Sequence, residues 1–303
     1  MKLYAPAYYR DFVCIADQCR HSCCIGWEID VDDDTMQKYK ALKTGYGKEI
    51  VQSIASNGEA PHFCLTEGER CPHLNDRGLC RIILSLGEEW LCDICREHPR
   101  FYLTTARGME VGLGMACEEA CRLILASDSN QPFVLIGEVD GDAEEIGFDA
   151  LPHRARLYSI LFDPTVSYVE RLQAICNSYG VSLSGRSDVE WRELLSSLEY
   201  LNDAHRNLFA QYSTSVSVLP ELEISLARAL AYFIFRHCTE VEDEEELRYA
   251  LGFSLFCERL LASVASTLGI EDTDGLIGLA QAVSEELEYS VENTEEIKAA
   301  FFR

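Results

Sequence analysis

From about residue 153 to the C-terminus, apolar residues recur every three to four positions, which predicts a series of amphipathic helices. Asp163-Pro164 supplies a cap and a first-turn proline for a helix ending at Gly180. Further helices are expected over 188–201, 204–212, 221–237, 244–268 and 274–289. No stretch there alternates with period two well enough to predict a sheet. Cys176, Cys238 and Cys257 sit singly among Leu, Ile and Phe, as small core residues do.

The first 127 residues follow a different rhythm, in which short helical patterns alternate with cysteine-bearing loops. Asp32-Asp33-Asp34 caps a helix through Met36, Tyr39 and Leu42 that stops at Gly45, and a second short helix fills 48–58. The stretches 61–65 and 71–74 flank Thr66-Glu67-Gly68-Glu69, and the turn signal Asn75-Asp76-Arg77-Gly78 follows, so a small hairpin is expected. Helical segments 79–86 and 88–96 are broken at Gly87 and ended by Pro99. The expected fold is mainly α: a cysteine-rich metal-binding domain over 1–130 with short helices and a small hairpin, an acidic Gly-rich connection over 131–152, and an all-helical domain over 153–303.

The 303 residues are 48% hydrophobic, enough for a well-packed core, and no run of 18 apolar residues predicts a membrane span. The net charge of −25 is spread evenly: 14 Lys+Arg against 26 Asp+Glu over 1–150, and 12 against 25 over 151–303. With no basic block to neutralise phosphates, nucleic acid is excluded as an expected partner. The acidic run Glu240, Glu242, Asp243, Glu244, Glu245 and Glu246 suits a solvated helix start, and would also steer a lysine-bearing substrate.

Eleven of the 14 cysteines lie within the first 121 residues. Such thiols are disulfides, metal ligands or reactive groups. The opening Met1–Arg10 has no apolar core of signal-peptide length, so a reducing, cytoplasmic setting is expected. Adjacent Cys23-Cys24 would strain two separate disulfides, whereas soft metals accept thiolates from irregular loops. The run Cys14-x4-Cys19-x3-Cys23-Cys24 resembles neither the paired knuckles of a zinc ribbon nor a ferredoxin run, and at least eight ligand candidates exceed one tetrahedral zinc site. An iron-sulfur centre is therefore expected, with zinc as the alternative. Cys92 and Cys95, three apart, share one helical face, and Cys117 opens a helix whose free amides would stabilise a thiolate. Gly112-Leu113-Gly114-Met115 lacks the third glycine of a dinucleotide-binding turn. His21, His62, His73 and His98 read as structural, His98 least so. No catalytic base is singled out.

The string from Phe12 to Asp30, containing Cys14, Cys19, Cys23, Cys24, Gly26 and Trp27, resembles the opening of the flagellin lysine-N-methylase family, FliB. The likeness continues through Cys71-Pro72-His73-Leu74, Gly78-Leu79-Cys80-Arg81-Ile82, Leu91-Cys92-Asp93-Ile94-Cys95-Arg96-Glu97-His98-Pro99-Arg100-Phe101 and Met115-Ala116-Cys117-Glu118-Glu119-Ala120. It covers about residues 8–127. The CC pair also resembles, more loosely, the putative zinc- or iron-chelating CxxCxxxCC domain family.

The FliB resemblance implies S-adenosylmethionine-dependent methylation of flagellin lysines with a [4Fe-4S] cluster. It carries Cys14, Cys19, Cys23, Cys24, Cys71, Cys80, Cys95 and Cys117 onto the family's cysteine pattern, and Cys64, Cys92 and Cys121 less closely. Arg20, Arg81, Arg96 and Arg100 are then the candidates to pair the carboxylate of S-adenosylmethionine. A neutral lysine amine is already nucleophilic, so polar transfer needs only a positioned sulfonium and a deprotonated amine; the radical alternative would add a reductant as partner, and the usual C-x3-C-x2-C loop is absent. The competing class is a non-catalytic iron- or zinc-binding protein whose helical half docks a partner.

Overall fold

A computed structural model describes residues 1–56, 60–127, 132–141 and 146–301. The chain divides into two compact units, Val13–Arg100 and Met1–Phe12 with Phe101–Arg303. The boundaries after Phe12 and Arg100 do not coincide with the connection expected over 131–152. Part of that connection, Gln131 and 142–145, lies outside the described residues.

The chain opens with β1 (Lys2–Pro6), a strand of the larger unit, and then enters the smaller one, with α1 (Asp33–Ala41), α2 (Gly45–Gln52), β2 (Ile54–Ala55), β3 (His62–Phe63), α3 (Arg81–Leu86) and α4 (Asp93–Glu97). Asp32 caps α1 as the acid run predicts, accepting from the Thr35 amide at 2.8 Å. Gly45 does not stop that helix; it starts the next. Thr44 accepts from the Gly47 amide at 3.0 Å, and a side chain on Gly47 would overlap Leu42, so the two helices meet in a tight corner. The expected helix over 48–58 ends early, because Ile54–Ala55 leaves to pair antiparallel with His62–Phe63; 57–59 lie outside the described residues.

The hairpin is thus built with a different partner from the one expected. Both predicted turns do form: the Thr66 amide bonds the Arg70 carbonyl at 2.8 Å, and Asn75 Oδ1 accepts from the Arg77 and Leu79 amides at 2.9 and 3.0 Å. These turns set the loops that carry Cys71 and Cys80.

In the larger unit β1 lies inside a four-stranded sheet of order β4-β5-β1-β6, with β4 (Arg100–Thr105), β5 (Gly108–Leu113) and β6 (Phe133–Glu138). β1 runs parallel to β5, Leu3 opposite Met109 and Tyr4 opposite Glu110, and antiparallel to β6. The sheet lies wholly before residue 153, so the expectation of helices over 153–303 stands; the sheet itself was not expected, and residues 133–138, within the expected connection, form a strand. Phe133-Val134-Leu135-Ile136 is a continuous apolar run without the alternation that marks a strand by pattern.

The rest of the unit is mainly helical: α5 (Glu118–Ala126), α6 (Leu151–Leu161), α7 (Tyr168–Tyr179), α8 (Asp188–Ser197), α9 (Asp203–Phe209), α10 (Pro220–His237), α11 (Glu244–Leu268), α12 (Thr273–Val283) and α13 (Val291–Ala299). α7 starts at Ser167, not at Asp163-Pro164, because Ser167 and Glu170 form a reciprocal capping box. Asp163 turns the chain beforehand by accepting from Thr165. α12 runs into a π-helical turn, Ser284–Glu288, which buries three acids, Glu285, Glu286 and Glu288, around Leu287.

α10 and α11 are apolar on most faces and form the centre of the core with Phe233, Phe253 and Phe256. By length and composition α11 could cross a membrane, but 78% of its most apolar stretch is buried inside the protein, the situation of a core helix. The sheet is joined to α6 by a buried ion triad. Glu110 accepts from Arg154 at 2.7 Å on each oxygen and from Arg107 at 2.5 and 2.9 Å, while Arg154 lies over the Phe133 ring.

Candidate metal centre

The smaller unit has its own core of Ile29, Val31, Tyr39, Ile50, Phe63 and Ile82, and five thiols are part of it: Cys24, Cys71, Cys80, Cys92 and Cys95. They come from four separated stretches. The Cys71 amide donates to the Cys24 carbonyl at 2.8 Å, which joins the CC loop to the first turn. Cys80 and Cys92 stand at the N-terminal caps of α3 and α4. Asp32 accepts from both the Thr35 and Asp93 amides, at 2.8 and 2.9 Å, and so ties the start of α4 to α1. The Tyr39 hydroxyl donates to the Trp90 carbonyl at 2.6 Å, just ahead of the Cys92 loop.

The five thiols perturb one another. A hydrogen bond from Cys23 lowers the Cys24 thiol to about 7 against its burial, helped by Ser22 and Arg70. The Cys95 thiol donates to Cys92, which lowers Cys92 and raises Cys95, so the pair shares one proton. Burial pushes Cys71 up to about 12 and also raises Cys80, and the neighbouring sulfurs add to both. Several thiolates cannot coexist in one apolar pocket without a cation, so as a donor set the cluster suits a soft metal that would absorb this charge. The sulfurs do not form a preformed coordination shell as placed: among the described residues no three His, Cys, Asp or Glu side chains converge closely enough to hold an ion.

The sequence-derived ligand set divides on this geometry. Cys24, Cys71, Cys80 and Cys95 gather, and Cys23 adjoins them through its bond to Cys24. Cys14 is exposed, and the Cys19 thiol turns to the His21 carbonyl. Cys117 belongs to the other unit, where it caps α5. Cys92, not in that set, is fully buried in the cluster; its i,i+3 relation to Cys95 was the available signal. Cys64 is exposed and Cys121 is buried in the larger unit.

The arginines and histidines near the cluster have structural engagements. Arg81 forms a two-pronged ion pair with Glu49 at 2.5 and 3.0 Å and lies over Tyr46, and Arg96 pairs with Asp93. Arg100 donates to the Arg96 carbonyl at 3.4 Å, and Arg20 is exposed. His73 has both ring nitrogens engaged, by Tyr46 at 3.3 Å and Ser53 at 3.0 Å, and burial lowers it to about 4, so it is a neutral core residue. His98 is likewise lowered to about 4 by burial and the Arg100 charge, with Nε2 buried and unbonded.

In the larger unit, the acids of the 240–246 run are largely employed locally. Glu240 accepts from the Thr104 amide, Asp243 caps α11, and Glu246 accepts from the Glu242 amide. An open cleft of about 340 Å³ lined by Tyr8, Asp11, Arg122 and Leu123 gathers no polar set, since Arg122 is paired with Glu119.

The chain is 30% identical over 168 residues to the flagellar biosynthetic protein FliU of Salmonella muenchen, covering 52% of the chain and 95% of that protein. It is 32% identical over 130 residues to lysine-N-methylases of Salmonella choleraesuis and Salmonella typhimurium, covering 40% of the chain and 31% of each methylase. The match therefore spans about a third of the length of those methylases. No protein-family model matches the chain, and no solved structure matches it.

Proposed function

Because the chain belongs to the FliB-like lysine-N-methylase family, we propose that it takes part in S-adenosylmethionine-dependent methylation of protein lysines, with flagellin as acceptor and a thiolate-held metal centre in the cysteine unit. The observation that carries the metal centre is the gathering of Cys24, Cys71, Cys80, Cys92 and Cys95 in one buried cluster. A [4Fe-4S] cluster would draw four ligands from these five, and zinc could also use four. Bound there, the centre would supply structural closure and a positive field at the thiolates.

The chemistry asked of the chain is modest. The lysine nitrogen attacks the methyl carbon, the sulfur–carbon bond breaks to release a neutral thioether, and the new ammonium loses a proton to solvent or a carboxylate. Positioning is the main requirement, since the amine is nucleophilic once neutral. The acidic surface favours approach of a cationic lysine side chain. Of the arginines proposed for the donor carboxylate, Arg81 and Arg96 would have to release Glu49 and Asp93 to take it.

Incubation of the purified chain with flagellin and S-adenosylmethionine, followed by mass spectrometry, tests the reading: adducts of about 14 Da per methyl group on lysines are expected. A chain that retains metal yet leaves flagellin unmodified, with and without reductant, would instead be a metal-binding protein with a helical docking half. The partial span of the methylases keeps that second reading open to the same assay.

A further inference from the structure

Of the clustered thiols, Cys92 and Cys95 are brought sulfur to sulfur across two intervening residues. Cys92 caps the start of α4 and Cys95 is the third residue of that helix, so both side chains leave one face, and the Cys95 thiol donates to Cys92. The backbone beneath them is held on three sides. The Trp90 carbonyl accepts from Tyr39 at 2.6 Å, the Asp93 amide donates to Asp32 at 2.9 Å, and the Arg96 amide donates to the Cys92 carbonyl at 2.9 Å. A covalent bond between the two sulfurs therefore asks for no rearrangement of the chain.

Other neighbouring cysteines are placed differently. Cys23 and Cys24 also share a hydrogen bond, but a disulfide between adjacent residues closes a small ring against a planar trans peptide. Cys117 and Cys121 lie four apart at the start of α5, where the Cys121 thiol is turned to the Ile277 carbonyl at 3.6 Å. Cys92 is 1% exposed and Cys95 is half-buried, so a small oxidant reaches the pair from the Cys95 side.

We propose that Cys92 and Cys95 are a redox-active dithiol that hydrogen peroxide converts to a disulfide, and that this closure releases the metal. The second clause rests on the metal-centre reading above; the first stands without it. One sulfur of the pair takes an oxygen from the peroxide, the O–O bond breaks, and the departing hydroxide leaves as water with the thiol proton. The other sulfur then displaces the sulfenic hydroxyl, which leaves as a second water with the second thiol proton. Two thiols are oxidised and one peroxide is reduced. Closure withdraws two of the five core donors and leaves Cys24, Cys71 and Cys80, one short of the four that a [4Fe-4S] cluster or a structural zinc takes.

The test exposes the unaltered full chain to hydrogen peroxide, blocks the remaining thiols with iodoacetamide and maps tryptic peptides without reduction. Cleavage after Arg81 and Arg96 gives one peptide, residues 82–96, that holds these two cysteines and no other. It should appear unalkylated and two hydrogens lighter, at least about tenfold ahead of any other cysteine linkage because its loop is so short, and dithiothreitol should restore both alkylation sites. In the chain loaded with zinc alone, zinc captured by a chromogenic chelator should rise in step with the linked peptide. Both cysteines still alkylated after Cys14 and Cys64 have been oxidised, or either one joined to a cysteine elsewhere, overturns the dithiol. Linkage with zinc retained overturns the release. A chain that takes up neither zinc nor iron removes the metal-centre reading and the release with it, while the linked peptide would still sustain the dithiol.

Discussion

Replacing Arg154 by Met isolates the largest electrostatic commitment in the sheet. Arg154 bonds both oxygens of Glu110 at 2.7 Å and the Thr239 hydroxyl at 2.9 Å, and Glu110 has no exposed surface. In the variant, Glu110 Oε2 loses the bond from Arg154, its one bonded partner among the described residues, and the carboxylate keeps Arg107 on Oε1. Breaking a buried pair this way costs about 3–5 kcal/mol, because a charge is left in an apolar site. Arg107→Met should cost only about 1 kcal/mol, since Arg107 is one-third exposed and the Arg154 fork survives. The double variant Glu110→Leu with Arg154→Met removes both charges and should recover part of the single-variant loss. Urea unfolding followed by circular dichroism gives all three values. Equal losses for Arg154→Met and Arg107→Met, or a double variant weaker than Arg154→Met by the full cost of Glu110→Leu, would refute the reasoning.

Other perturbations test separate parts. Glu286 accepts from the Leu201 and Asn202 amides at 2.7 and 3.0 Å and from His205 at 2.7 Å, so Glu286→Ala should lose about 2–4 kcal/mol of stability in the same assay. Gly112→Ala places a methyl against Phe101 and Phe235 and should cost about 1–3 kcal/mol, read as a lower thermal midpoint. Burial raises the Glu258 carboxyl despite Arg259 and the Tyr168 bond, with Tyr212 and Cys176 also facing it. Its folded value thus lies above the unfolded one: the contribution of Glu258 to stability is most favourable below the unfolded value, near pH 4, and falls as pH rises toward the folded value. Glu258→Gln should flatten that fall, and an unchanged stability–pH curve would exclude it as the source.

What could be read from the sequence follows the length of its periodic signals. The 25-residue α11 occupies the span that its long apolar stripe and acidic start predict, and Gly269 ends it in the left-handed conformation. The sheet was missed for a physical reason: Lys2–Pro6 is short, Gly108–Leu113 is buried along its length, and Phe133-Val134-Leu135-Ile136 has no alternation, so none shows period two. In the cysteine unit the sequence indicated thiols of the right kind but could not rank them. Cys14 and Cys64 look equivalent to Cys71 and Cys92 in one dimension; only the turns at Thr66–Arg70 and Asn75–Leu79, and the Asp32 bridge to Asp93, separate exposed sulfurs from clustered ones.

Metal content tests the central claim most directly. The chain purified anaerobically should carry iron with matching sulfide, or zinc, at constant stoichiometry. Single Ser replacements at Cys24, Cys71, Cys80, Cys92 and Cys95 should each deplete it, while Cys14→Ser and Cys64→Ser should leave it intact. A wild-type chain free of metal, or one whose metal survives all five core replacements and departs with Cys14 or Cys64, would contradict the account.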